Sequence, residues 1–191
     1  SPTAFVTQQA RDFLGRVPTS AETTAALTQL NGLTTPGAYI AALRDGPDGV
    51  ENVDPLVRLY FAYFLRTPDR GGLDFWLRRR RADVRLYAIS DQFAKSSEFK
   101  NRYGKLTNNA FVELVYQHVL GRPGDPGGLA SWTGKLDTGI KTRGEVMVGF
   151  SESTEHTRKQ APKVTAIEIW FGMLHRTPSA AELTSLATRL G

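Results

Sequence analysis

Apolar positions recur at helical spacing in four separate stretches of the chain. Phe111, Val115, Tyr116, Val119 and Leu120 follow one another three or four residues apart, as do Leu56, Leu59, Tyr60, Tyr63 and Phe64. Weaker versions run through Phe5, Ala10 and Leu14, and through Ile169, Trp170, Met173 and Leu174. Each stretch predicts an amphipathic helix with those residues on its buried face. Alternation at period two is absent over any useful length, so strands are not expected.

A stop and a restart follow each stretch. FLGRVPTSAETTAAL, YFLRTPDRGGLDFW, VLGRPGDPGGLASW and MLHRTPSAAELTSL align on Arg16, Arg66, Arg122 and Arg176, which are 50, 56 and 54 residues apart. Three residues after each arginine stands Thr19, Asp69, Asp125 or Ser179. All four side chains accept hydrogen bonds from the free amides of a helix start, so four different sequences encode one instruction. Glu22 and Glu182 complete capping boxes, and Pro126 suits a first helical position.

The restarted helix carries Leu73 with Trp76, or Leu129 with Trp132, on one face. A third helix is signalled by Thr35–Pro36 and by Thr142 with Glu145, and Leu43, Phe93 and Phe150 match near its end. The expectation is an all-α fold of tandem helical repeats, about three helices each, packed into one compact body or two abutting bundles. The units are 1–53, degenerate; 54–105 and 106–160, complete; and 161–191, which breaks off before a third helix.

Composition narrows the chemistry. The 191 residues include no cysteine, which excludes disulfides, thiolate metal sites and a cysteine nucleophile. No run approaches the ~20 apolar residues of a membrane span, so membrane insertion is not expected, and no leader segment is visible. Net charge is +5, and the basic excess falls within 54–105, around the tetrad Arg78–Arg79–Arg80–Arg81 with Arg70 and Arg85 nearby. Such a patch suits an anionic polymer such as an acidic polysaccharide, teichoic acid or lipopolysaccharide. It equally suits a solvated helix C-terminus, whose dipole favours cations. Nucleic acid is the weaker partner, since no recognised nucleic-acid motif is present.

Two readings stand for each remaining candidate. Trp76 and Trp132 are either core residues on Tyr60 and Tyr116 or walls of a glycan pocket beside Arg66 and Arg122. The motif arginines either cap helix carbonyls and fork onto a nearby carboxylate, or contact a ligand. PGDPGG, Pro123 to Gly128, offers one carboxylate, too few for calcium, and reads as a turn with Asp125 as cap. The three histidines share no metal-ligand spacing, and Glu152 and Glu155 lack the signs of a catalytic cleft. No cofactor, metal or catalytic residue is implied.

The run VELVYQHVLGRPGDPGGLASWTGKLDTGIKTRGEVMVGFSESTEH resembles the domain-of-unknown-function 4214 family of bacterial surface and secreted proteins. Tyr116, Leu120, Gly121, Arg122, Asp125, Gly128, Leu129, Trp132, Leu136 and Gly139 carry the likeness, followed by Phe150, Ser153 and Glu155. The second unit matches through Tyr60, Arg66, Pro68, Asp69, Gly72, Leu73 and Trp76, then Phe93, Ser96, Glu98 and Phe99. Ala26 and Leu186 replace the tryptophan in the outer units. The family is similar in motif to phycobilisome linker domains, which are helical and noncatalytic. The resemblance implies a helical fold in a secreted or cell-surface setting. The functional expectation is a noncatalytic module that binds or anchors to a surface polysaccharide or other anionic polymer through Trp76, Trp132, Arg66, Arg122, Arg78, Arg79 and Arg81. The alternative is an assembly module contacting neighbouring domains or copies of itself.

Overall fold

The residue before each motif arginine turns left-handed. Gly15, Leu65, Gly121 and His175 have φ of 68°, 56°, 75° and 54°. The amides of Gly15, Leu65 and Gly121 close the preceding helix by donating to the carbonyls of Arg11, Phe61 and Tyr116. Glycine fits this conformation freely; Leu65 and His175 hold it at the cost of Cβ crowding.

In the computed structural model, which describes residues 1–191, these stops and starts produce twelve α-helices and no strand. They are α1 (Pro2–Leu14), α2 (Ser20–Asn31), α3 (Pro36–Arg44), α4 (Asp54–Phe64), α5 (Arg70–Arg81), α6 (Leu86–Ala94), α7 (Ser97–Tyr103), α8 (Asn108–Val115), α9 (Pro126–Asp137), α10 (Arg143–Ser151), α11 (Thr154–Met173) and α12 (Ala180–Leu190). A π-helical turn, Gly49–Val53, leads into α4, and another, Tyr116–Leu120, extends α8. No helix is long and apolar enough to cross a membrane.

The caps fall where the sequence places them. Thr19, Thr35, Asp69, Asp125, Thr142 and Ser179 each accept from an amide three residues on, and capping boxes close α2, α10 and α12. Ser96, Thr107 and Ser153 do the same for α7, α8 and α11. The complete second unit therefore has a fourth helix, α7, beyond the three expected. In the third unit the equivalent segment is the first half of α11, which runs unbroken through Pro162 and across the boundary expected at 160.

One core of 29 buried residues spans α4 to α12, with Leu56, Leu59, Tyr63, Phe111, Val115, Met147 and Ile167 deep inside. At the crossing of α6 and α10 a buried chain of hydrogen bonds joins the two complete units. Ser90 donates from Oγ to the Gly144 carbonyl, and Tyr63 donates to the Ser90 carbonyl at 2.9 Å. Val6, Ala26 and Tyr39 form a separate small cluster in the first unit.

Two helix faces differ from expectation. Of the expected Phe5, Ala10 and Leu14, α1 buries Ala10, together with Val6 and Phe13, because Phe13 lies against Gly172 of α11. α11 buries Val164, Ile167 and Phe171, while Met173 and Leu174 remain 48% and 51% exposed. That helix packs against α1, α4 and α12; Trp170 is half-buried against the core, and only Met173, with Leu174 just beyond the helix, is left exposed.

Candidate functional site

Phe93 of α6 sits in a cage of four side chains. Its ring centroid lies 5.0 Å from Tyr60, 5.3 Å from Tyr63, 5.0 Å from Phe64 and 5.4 Å from Trp76. Three cage members lie on α4, six, three and two positions before Arg66; the fourth lies on α5, ten positions after it. Phe150 of α10 repeats the arrangement against Tyr116 at 4.7 Å and Trp132 at 5.5 Å. The edge-to-face pairs among these, with Tyr60, Tyr63, Trp76 and Tyr116, each add about 1 kcal/mol beyond burial. Trp76 and Trp132 are therefore walls of an internal socket, each half-buried. Gly149 brings the α10 backbone against the Trp132 ring, where a Cβ would fall 2.6 Å from its edge.

All four motif arginines do the same local work. Each donates from Nη1 to the carbonyl of the next residue, at 3.3 Å for Arg16, Arg66 and Arg122 and 3.4 Å for Arg176. Each also meets a carboxylate, but not the same one. Arg16 and Arg176 fork onto the capping-box glutamates Glu22 and Glu182, whose carboxyls are held down to about 2 by the guanidinium and by the Thr19 and Ser179 amides. Arg66 and Arg122 instead pair with Glu98 and Glu155, at 3.3 Å and 2.9 Å, from the segment after the third helix.

The switch of partner traces to two opposed positions. Six residues before the arginine the inner units carry Tyr60 and Tyr116, and six after it they carry Gly72 and Gly128. A Cβ at Gly72 would meet the Tyr60 hydroxyl at 2.8 Å, and one at Gly128 would collide with that of Tyr116. The tyrosine thus excludes a glutamate from the capping-box position, and the carboxylate must come from elsewhere. Burial beside Asp69 raises the Tyr60 hydroxyl to about 12.

The arginine tetrad disperses around α5. Arg81 is bound into a half-buried pair with Asp48 at 2.6 Å and donates to the Phe13 carbonyl. Arg80 donates to the Glu51 carbonyl, and Arg79 stacks on Phe75, 3.4 Å from its centroid. Of the expected ligand residues, Arg78 and Arg79 are exposed, and Arg81 acts between units. The cleft beside Trp132, about 190 Å³, is bordered by Tyr116, Arg122, Phe150 and Glu155, and includes none of Trp76, Arg78, Arg79 and Arg81. The structure therefore does not gather the expected residues into one site.

Asp69 and Asp125 accept from the Gly72 and Gly128 amides at 2.7 Å, the geometry of helix caps. Glu152 and Glu155 are drawn into separate ion pairs, with Arg58 at 2.6 Å and Arg122 at 2.9 Å. Two buried groups carried no sequence signal strong enough to single them out. His156 donates from Nδ1 to the Val119 carbonyl at 3.1 Å, and Glu168 lies against Asp54 between α11 and α4. His156 could have been found by noting that it stands where the second unit has Phe99.

No curated protein and no solved structure matches the chain. A family model described as a domain of unknown function (DUF4214) matches residues 90–160, from α6 into α11, a span containing Arg122, Trp132 and Phe150. With its motif residues in place on these helices, the segment 90–160 is similar to the DUF4214 family.

Proposed function

We propose that the chain is a noncatalytic assembly module of a secreted or surface-exposed bacterial protein, docking helical polypeptides. One observation carries this reading. Trp170, Met173, Leu174 and Leu186 occupy the four positions that cage Phe93 in the second unit, and Met173 and Leu174 are about half exposed. An aromatic and aliphatic face of this kind is a contact surface. The arginines and tryptophans that suggested a ligand site are mostly engaged in holding helices together, which removes support from an extended anionic groove.

A second reading rests on the Trp132 cleft, whose indole and Arg122–Glu155 pair offer a stacking wall beside polar groups for a neutral sugar. A displayed library of amphipathic helical peptides and a panel of bacterial polysaccharides, each titrated against the full chain, separate the two. Peptide binding lost in Leu186→Lys supports assembly. Saturable polysaccharide binding lost in Trp132→Ala, with no peptide bound, replaces it with the glycan reading.

A further inference from the structure

The first unit lacks the rings that fill the second. Ala10, Ala25, Ala26 and Leu43 each stand 50 residues before Tyr60, Phe75, Trp76 and Phe93, the spacing that separates Arg16 from Arg66. In the second unit those four rings pack on one another, with centroids 4.9 Å apart for Phe75 and Trp76, 5.4 Å for Trp76 and Phe93, and 5.0 Å for Tyr60 and Phe93. In the first unit no side chain takes over their volume. A cavity of about 240 Å³ remains between α1, α2 and α3, and Ala10, Ala25, Ala26 and Leu43 all border it. From this we propose that the first unit binds a small, neutral aromatic molecule of indole size that carries one N–H or O–H donor. The proposal is independent of the assembly reading, which concerns α11 and α12.

Size sets the ring. An apolar cavity of about 150 Å³ is enough to take up benzene, so this one admits a bicyclic ring. Ala26 is 4% exposed, so the ring it lacks is missing from the floor of the unit and not from its rim. Alanines from all three helices line the cavity with Leu14, Pro18 and Leu43, an apolar surface of the kind ligand pockets use. A flat ring there regains the burial and dispersion that Trp76 supplies in the second unit.

Polarity follows from Tyr39 and Glu22. Tyr39 lines the cavity from α3 and is 7% exposed, yet its hydroxyl makes no hydrogen bond within the chain. Burial and the charge of Glu22 raise its pKa, so it stays protonated. A buried hydroxyl without a partner costs free energy that a ligand N–H relieves. The Glu22 carboxylate is already taken by Arg16 and the Thr19 amide, and its charge disfavours an anionic ligand.

The occupant is a free molecule, not a side chain of another segment. In the second and third units the socket rings come from the unit's own helices: Trp76 from α5 and Phe93 from α6, Trp132 from α9 and Phe150 from α10. The first unit already has its three helices in place, so what it lacks is ring volume and not a covering helix.

Isothermal titration of the full chain with indole tests this. One site per chain should saturate, with a Kd of about 1 mM or tighter, the range open to a ligand of this size. Amide chemical-shift changes should fall on α1, α2 and α3. Ala26→Trp restores the ring of the second unit and should abolish binding. Ala26→Leu, a smaller filling, should weaken it and covers the case in which circular dichroism shows the tryptophan variant unfolded. Tyr39→Phe should weaken indole by roughly threefold to tenfold and leave benzofuran, the same ring without the N–H, unchanged. Absence of saturable binding, binding that both Ala26 variants leave intact, or equal affinity for cyclohexanol overturns the inference. Equal losses of indole and benzofuran in Tyr39→Phe overturn the donor requirement.

Discussion

His156 is 1% exposed, and its Nε2 meets no partner. Burial holds its pKa below the ordinary histidine value, so the folded state keeps the ring neutral. An unfolded histidine takes a proton near pH 6.5. Stability from the neutral ring is therefore complete above that value and is lost as pH falls toward the depressed folded pKa. His156→Phe restores the residue of the second unit and should flatten this acid limb. Urea melts of both proteins at pH 5 and pH 7.5 check it: the variant should gain on wild type at pH 5, and a difference that is the same at both values would refute the assignment. The caps offer a sharper test at one side chain. Asp125→Ser should cost well under ~1 kcal/mol and Asp125→Ala about 1, with calcium leaving the melting temperature unchanged. A rise of several degrees on adding calcium, absent in Asp125→Ser, would make Asp125 a metal ligand instead.

Adjacent glycines at the start of α9 should respond to alanine with opposite signs. A Cβ at Gly127 finds its nearest neighbour at 3.6 Å, so Gly127→Ala should stabilise by roughly 0.5–1 kcal/mol through helix propensity and lost unfolded-state freedom. A Cβ at Gly128 runs into the Tyr116 hydroxyl, so Gly128→Ala should cost about 1–3 kcal/mol as overpacking. Tyr116→Phe removes the colliding oxygen and should shrink that cost, a coupling that a double-mutant cycle measures. Additive effects would mean that hydroxyl and glycine do not oppose each other. Elements were legible in the sequence to the extent that local chemistry fixes them. Thr19, Asp69, Asp125 and Ser179 mark starts whatever lies around them, and Gly15 and Gly121 mark stops. The faces of α1 and α11 were not legible, because what a helix buries depends on what covers it. Trp170, Met173 and Leu174 form the apolar stripe the sequence indicates, yet Val164, Ile167 and Phe171 are what α11 buries, because α1, α4 and α12 pack on that side. The arginine partners were hidden for a related reason. Glu98 and Glu155 lie about 33 residues from their arginines, and only the tyrosine–glycine opposition explains why they are needed.

The helices α4 and α11 tie the second unit to the fourth, and the contact between them sets how the whole molecule responds to alkali. Glu168 of α11 is 8% exposed, and burial, then the neighbouring charge of Asp54, raises its carboxyl to about 9. Asp54 of α4 is itself raised, chiefly by burial, although Arg58 lies 3.5 Å away and opposes the shift. Arg44 and Asp45 also act on Glu168, the arginine favouring its charged form and the aspartate opposing it. At neutral pH the pair therefore holds one proton on Glu168, beside a cavity of about 60 Å³ that Phe13, Leu73 and Ile167 also line. Folding takes up that proton wherever the unfolded glutamate has lost it. The stabilising contribution is complete below the unfolded carboxyl value of about 4.5 and disappears as pH rises through about 9. This slope runs opposite to that of His156 and overlaps it below about 6.5, so the two partly cancel there and the Glu168 decline stands alone above that value. Glu168→Gln keeps a neutral hydrogen-bonding side chain at every pH and should abolish the alkaline decline while leaving the acid limb in place. Calorimetric melting temperatures at pH 5, 7 and 9 decide it: the variant should fall less than wild type from 7 to 9. Parallel declines would show that Glu168 is already ionised in the folded protein and that another group governs the junction.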